Sequence, residues 1–193
     1  MTQLKAHPWR AFAIVGTGIF LTILDLFIVN IALPAVAVSF PEQSLSGLSW
    51  ILTSYAIVFA ALLVPAGKLG DLYGRRRLFL IGMFLFLLGS VVGATAVSLP
   101  MLIIGRVVQA AGAAAVTPNS LAVLLPVFPP QRRSAIIAAW GVLAGLGAAA
   151  GPPLGGILAG LDWRWIFLVN VPFCLVALVL TPRLVAEIRD ATS

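Results

Sequence analysis

Charge is what this sequence has least of. Only 9% of the 193 residues are charged, and just six are acidic, whereas a soluble domain carries about 25%. With 61% hydrophobic residues, such a chain cannot cover itself for water, so its natural solvent is lipid. Cysteine is nearly absent as well. Cys174 is the single one, which excludes an internal disulfide, and its apolar run makes it a small core side chain. The one histidine, His7, lies in the N-terminal tail, too far out for a proton relay, and no ligand spacing suits a metal. Nucleophile–base pairs are missing, and the G-x-G spacings fall in an apolar run that no strand precedes. No cofactor is expected, and an enzyme is excluded.

What the sequence has in abundance is long apolar runs. Six membrane spans of ~20 residues or more can be read, over 11–38, 47–69, 78–98, 100–125, 135–159 and 165–182. The first is too long for a signal-peptide core and carries Asp25, so it reads as a retained helix. The alternating pattern of a membrane barrel is absent. All connections are short, so neighbouring helices should be antiparallel. The expected fold is an all-α membrane protein, with residues 1–193 forming one six-helix bundle.

The bases fix an orientation. Lys5 and Arg10 precede the first span, and Lys68, Arg75, Arg76 and Arg77 separate the second from the third. Arg132 and Arg133 separate the fourth from the fifth, and Arg183 and Arg189 follow the sixth. With six crossings all of these fall on one side, which positive-inside bias makes cytoplasmic together with both termini. The net charge of +6 is thus a topology signal beside anionic headgroups, and no nucleic-acid partner is expected. Trp9, Trp50, Trp163 and Trp165 sit near span ends, where indoles anchor at the interface. Tyr55 and Trp140 read either as packing or as the lining of a pocket.

Three stretches depart from plain membrane helix. Asp25 is mid-span, where an ionisable group costs ~3 kcal/mol or more unless hydrated, paired or neutral. Arg106 is the only base deep inside a span and keeps its proton, so it needs a carboxylate, carbonyls or water. Read together, the two are either a functional charge site or an ion pair stapling two helices. Arg106, Gln109, Ala113, Thr117 and Ser120 recur at helical spacing, giving one polar or small stripe that reads as a cavity wall. On span five, Gly141, Gly145, Gly147, Gly151, Gly155, Gly156 and Gly160 form overlapping four-residue repeats that permit close helix approach. Pro152 and Pro153 remove two amide donors there and should loosen the helix. Gly89 and Gly93 on span three read as packing. Finally, "GKLGDLYGRRR", residues 67–77, crowds four bases and Asp71 into one expected cytoplasmic turn, where Gly70 and Gly74 would allow tight reversal.

That last stretch resembles the loop 2–3 signature of the major facilitator superfamily, matched by Gly67, Leu69, Asp71, Gly74, Arg75 and Arg76, with Gly70 standing where alanine is usual. Four further stretches agree, in order. "LDLFIVNIALP" is similar to the first-helix motif of drug:proton antiporters, with Asp25, Asn30 and Pro34 in place. "LIIGRVVQAAGAAA" resembles the fourth-helix motif through Arg106, Gln109 and Gly112, with Ala110 replacing a glycine. "GAAAGPPLGG" carries the fixed positions of the fifth-helix antiporter motif, and "WRWIFLVNVP" is similar to the entry to helix six of the fourteen-helix branch.

The resemblance implies the N-terminal half of such a transporter, built as two inverted three-helix repeats in the cytoplasmic membrane. It implies proton-driven export of lipophilic or cationic drugs. Asp25 would be the proton or cation site and Arg106 its charge partner. Asn30, Gln109, Ala113 and Thr117 would line the cavity. Gly67, Asp71, Gly74, Arg75 and Arg76 would form a cytoplasmic latch, and Gly147, Gly151, Pro152, Gly155 and Gly156 a hinge. Partners would be the bilayer, a drug-like substrate, protons, and a second transporter half or a second copy covering an outward-facing polar wall. A truncated subunit and an uptake symporter on the same fold are the alternatives.

Overall fold

The computed structural model describes residues 8–187. Among these there are helices and no strands. The helices are α1 (Pro8–Ser39), α2 (Leu45–Tyr73), α3 (Arg75–Ala94), α4 (Leu99–Leu124), α5 (Arg133–Leu161), α6 (Trp165–Leu168) and α7 (Asn170–Leu184). Short 3-10 turns at Leu125–Val127 and Pro130–Arg132 join α4 to α5. Six segments are long and apolar enough to cross a membrane, with α6 and α7 sharing the sixth. Lys5, His7 and Arg189, to which the sequence assigns tail positions, lie outside the described residues.

Local chemistry sets the helix starts. Ser44 accepts from the Gly47 amide at 3.1 Å and Ser98 from the Met101 amide at 3.4 Å, each satisfying an orphan donor of the first turn. The expected span ends move by up to about four residues: the second span reaches Tyr73 rather than residue 69, and the third runs Arg75–Ala94 rather than 78–98. The sixth is assigned as α6 and α7, joined by Val169 at helical angles (φ −58°, ψ −29°). Pro152 and Pro153 do not interrupt α5, which runs unbroken from Arg133 to Leu161.

The expected turn at residues 67–77 is a correction. Gly67 to Tyr73 complete α2, Arg75 to Arg77 open α3, and Gly74 alone is non-helical. Its φ of 111° is open to glycine and strained for other residues. One residue therefore reverses the chain between two membrane helices.

Two apolar clusters stack along the bundle. One gathers Val15, Leu24, Tyr55, Phe79, Met83, Phe86, Val123, Phe128 and Cys174, and the other Ile28, Val36, Leu48, Ile51, Leu102, Trp163 and Phe167. Helices α1 and α4 are the most buried spans, α2 and α5 the least. At one end Trp9 meets Phe128 edge-on, 5.4 Å between centroids, and Arg76 donates to the Val185 carbonyl at 2.8 Å. At the other, the Trp163 indole donates to Ser39 at 2.9 Å and Arg164 to the Ala96 carbonyl at 3.1 Å. Trp163 is thus a core side chain, 3% exposed, and not the interfacial anchor expected of it. Trp9, Trp50 and Trp165 are about half exposed, as anchors would be.

Candidate functional site: a buried polar layer at mid-bundle

Where the two apolar clusters meet, the bundle turns polar. Asp25 of α1 and Arg106 of α4 are both 0% exposed and pair directly, Nη1 to Oδ2, at 2.5 Å. The same Nη1 reaches Gln109 Oε1 at 2.9 Å, and Arg106 Nε donates to the Ile51 carbonyl of α2 at 3.3 Å. The guanidinium lies 4.1 Å from the centre of the Tyr55 ring, a cation–π contact. Asp25 Oδ1 accepts from Gln109 Nε2 at 3.1 Å and from Asn170 Nδ2 at 3.4 Å. Ser90 of α3 accepts from Gln109 at 2.8 Å and from Asn170 at 3.5 Å, and donates to the Phe86 carbonyl at 2.8 Å. Helices α1, α2, α3, α4 and α7 thus each contribute to a single network. Its one carboxylate collects three donors, the condition under which a buried charge is tolerable.

This geometry corrects the expected cavity wall. Gln109 and Ala113 are fully buried, and Asp25 and Arg106 face into the bundle, not outward from it. Thr117 is half-buried and turned back to the Ala113 carbonyl at 2.8 Å. Asn30 is exposed, with only a 3.5 Å bond to the Leu26 carbonyl, and stands apart from the network. Of the two aromatic candidates, Tyr55 is 2% exposed under Arg106, and Trp140 donates to Ser120 at 3.0 Å. Ser90 and Asn170 were not singled out from sequence. Asn170 sits in the quoted "WRWIFLVNVP", and Ser90 adjoins Gly89, so both were near visible signals.

Glycines bring the polar helices together. A Cβ at Gly89 would lie 2.6 Å from the Gly105 carbonyl and the Gln109 amide, which makes this a backbone-to-backbone seam between α3 and α4. On α5, a Cβ at Gly147 would lie 2.6 Å from the Phe20 carbonyl, one at Gly155 3.1 Å from the Ile28 carbonyl, and one at Gly151 would collide with Phe27. These three form the seam with α1. Gly141, Gly145, Gly156 and Gly160 have nothing within 4 Å, so Gly156, like the exposed Pro152, stands off the face that Gly147, Gly151 and Gly155 share.

The expected latch residues make two separate sets of contacts. Asp71 and Arg75 pair at 2.6 Å across the Gly74 break. Glu187, which the sequence gave no reason to select, accepts from the Arg76 amide at 3.1 Å and lies 3.7 Å from Arg76 Nε and 3.8 Å from Arg77 Nε. It thereby meets the open N-terminus of α3. Gly70 accommodates Asn119, whose Nδ2 donates to the Ala115 carbonyl at 2.8 Å and the Ala66 carbonyl at 3.3 Å. The amide of Asn119 fills the space that an alanine methyl at position 70 would need. Gly67, by contrast, is only in ordinary contact range of Pro118.

The buried polar layer thus lies inside a bundle of six membrane-length helices, and comparison with known proteins gives the family. The family model of the Major Facilitator Superfamily matches residues 15–192, and the chain belongs to that family. The family is one of membrane transporters rather than enzymes. The chain is 41% identical over 177 residues to the drug efflux pump JefA of Mycobacterium tuberculosis, covering 91% of this chain and 35% of that protein. It is 42% identical over 174 residues to the multidrug resistance protein Stp of the same species, covering 89% and 32%. To the probable actinorhodin transporter of Streptomyces coelicolor it is 36% identical over 179 residues, covering 90% and 31%. The chain therefore spans about a third of the length of these relatives. In fold it resembles the inward-open xylose transporter XylE of E. coli, with a TM-score of 0.76 at 16% identity, covering 94% of this chain and 49% of that one.

Proposed function

We propose that this chain is the N-terminal bundle of a proton-coupled exporter of lipophilic or cationic compounds in the cytoplasmic membrane. The observation that carries the reading is the Asp25–Arg106 pair, sealed at 0% exposure, hydrogen-bonded to Gln109, Asn170 and the Ile51 carbonyl, and stacked on the Tyr55 ring. Such a pair is electrically balanced while Asp25 is ionised. Placing a proton on Asp25 leaves Arg106 with carbonyl, amide and ring partners only. The layer then favours a different helix arrangement, one that hydrates the guanidinium or offers it another anion. A site whose charge balance depends on one proton, at the meeting point of five helices, is what coupling proton movement to helix movement requires. JefA, a drug efflux pump, and Stp, a multidrug resistance protein, support export as the direction.

The transport path in this reading lies between this bundle and a second one, from further chain or from a second copy. The exposed α2 and α5 support that placement, because they leave apolar faces uncovered. Asp71, Arg75 and Arg76 hold the cytoplasmic end, and the Gly147–Gly151–Gly155 seam lets α1 and α5 slide without side chains in the way. Asp25→Asn keeps the shape and removes the titrating charge. In liposomes with an imposed proton gradient, the Asp25→Asn transporter should insert normally yet lose gradient-driven movement of a cationic dye. Unchanged export with unchanged pH dependence would take Asp25 out of the mechanism.

A further inference from the structure

Two amides reach Asp25, and they are not equivalent. Gln109 is committed at both ends: its Oε1 accepts from Arg106 Nη1 at 2.9 Å, and its Nε2 donates to Asp25 Oδ1 at 3.1 Å and to Ser90 at 2.8 Å. Turning it over would set its NH2 against a guanidinium that can only donate. Asn170 is committed at one end. Its Nδ2 reaches Asp25 Oδ1 at 3.4 Å and Ser90 at 3.5 Å, while its Oδ1 is buried with no hydrogen-bond partner among the described residues. Rotation about the last side-chain bond exchanges its nitrogen and oxygen with almost no change of shape.

The carboxylate has the matching asymmetry. Oδ2 faces Arg106 Nη1, an obligate donor, so a proton arriving on Asp25 is accommodated on Oδ1. Oδ1 is the oxygen that Asn170 faces. The Ser90 hydroxyl hydrogen is already given to the Phe86 carbonyl. Other titratable groups within electrostatic reach of Asp25 are Tyr55 on α2 and Cys174 on α7. Arg106 is the charged group from α4, α3 brings Ser90, and α5 brings no titratable group to this layer.

We propose that Asn170 is a positioning residue of the proton site, and that its amide reverses with the charge of Asp25. It donates Nδ2–H to the carboxylate and accepts the acid's O–H on Oδ1. The proposal rests on the reading of Asp25 as the proton site. Asn170 is the first residue of α7, one residue after Val169, whose helical angles (φ −58°, ψ −29°) carry the sixth span on from α6. Reversal of the amide therefore carries the protonation state of α1 to the sixth span.

Difference infrared spectra of the full chain in lipid nanodiscs, recorded as the pH is lowered, test this. The Asp25 acid band is the one lost in Asp25→Asn. In Asn170→Leu, which removes donor and acceptor at similar volume, that band should move to higher frequency as the acid loses its acceptor. In Asn170→Thr, whose hydroxyl can both donate and accept, it should return towards the original position. In the unsubstituted chain carrying isotope-labelled asparagine amides, one amide carbonyl band should shift in the same spectra, and this signal should vanish in Asn170→Thr. An Asp25 acid band at the same position in Asn170→Leu, with helicity intact, overturns the proposal and leaves the proton site standing. So does an asparagine amide band that stays still while Asp25 protonates, a readout that holds even if Asn170→Leu does not fold. An Asp25 acid band absent at every pH overturns both readings.

Discussion

Arg106 joins three elements through one guanidinium: Asp25 of α1, the Ile51 carbonyl and Tyr55 ring of α2, and Gln109 one turn along α4. Removing one partner of a buried pair leaves the other charge stranded, at about 3–5 kcal/mol. Arg106→Leu should therefore lower stability by that amount in thermal unfolding in detergent. Adding Asp25→Asn should recover most of it, since no charge is then left unpaired. Equal losses in the single and double variants would mean that Arg106 stabilises through packing alone. The two charges themselves were legible in the sequence, because intramembrane charge stands out against an apolar background. Their inward orientation was not. The spacing of Arg106, Gln109 and Ala113 shows that they share a face of α4, yet periodicity does not say whether that face meets an open cavity or other helices. The Gly89–Gly105 seam decides it, by drawing α3 over the face.

At the level of elements, glycine repeats on α5 separate into two functions that sequence periodicity merges. Gly147, Gly151 and Gly155 abut the backbone of α1, whereas Gly156 is open. Gly151→Leu should force overpacking worth about 1–3 kcal/mol and impair export more than insertion. Gly156→Leu should leave the stability of the isolated chain unchanged in the same unfolding assay. Equal destabilisation by both would contradict the seam. The stretch at 67–77 tells a similar story. Its glycines and charges were visible, but its helical content was hidden, because glycine punctuates turns and close contacts alike. Here Gly74 does the first and Gly70 the second.

For the whole molecule, the orientation expected from the base distribution is open to direct test. Gln43 and Leu161 are exposed at the end away from the arginine-rich connections. Single cysteines there, in a Cys174→Ser background, should react with an impermeant thiol reagent added outside cells. Labelling only after the inner face is made accessible would invert the topology. Six crossings were legible from hydropathy, since each apolar run approaches bilayer thickness.

Asp25 and Arg106 are 81 residues apart in sequence, and that separation has a consequence for biogenesis. A ribosome adding about 5–20 residues per second delivers the acid to the translocon some seconds before its partner. For that interval α1 carries an ionisable group that the lipid disfavours by ~3 kcal/mol. Nascent α1 should therefore linger beside the translocon until α4 emerges. Chains arrested after α3 should show less complete integration of α1 than chains arrested after α4, and Asp25→Leu should abolish the difference. Glycosylation-site reporters placed before α1 would read it. Assembly of the polar layer thus becomes a timed event in synthesis, with the second charge of the pair acting as the release signal for the first helix.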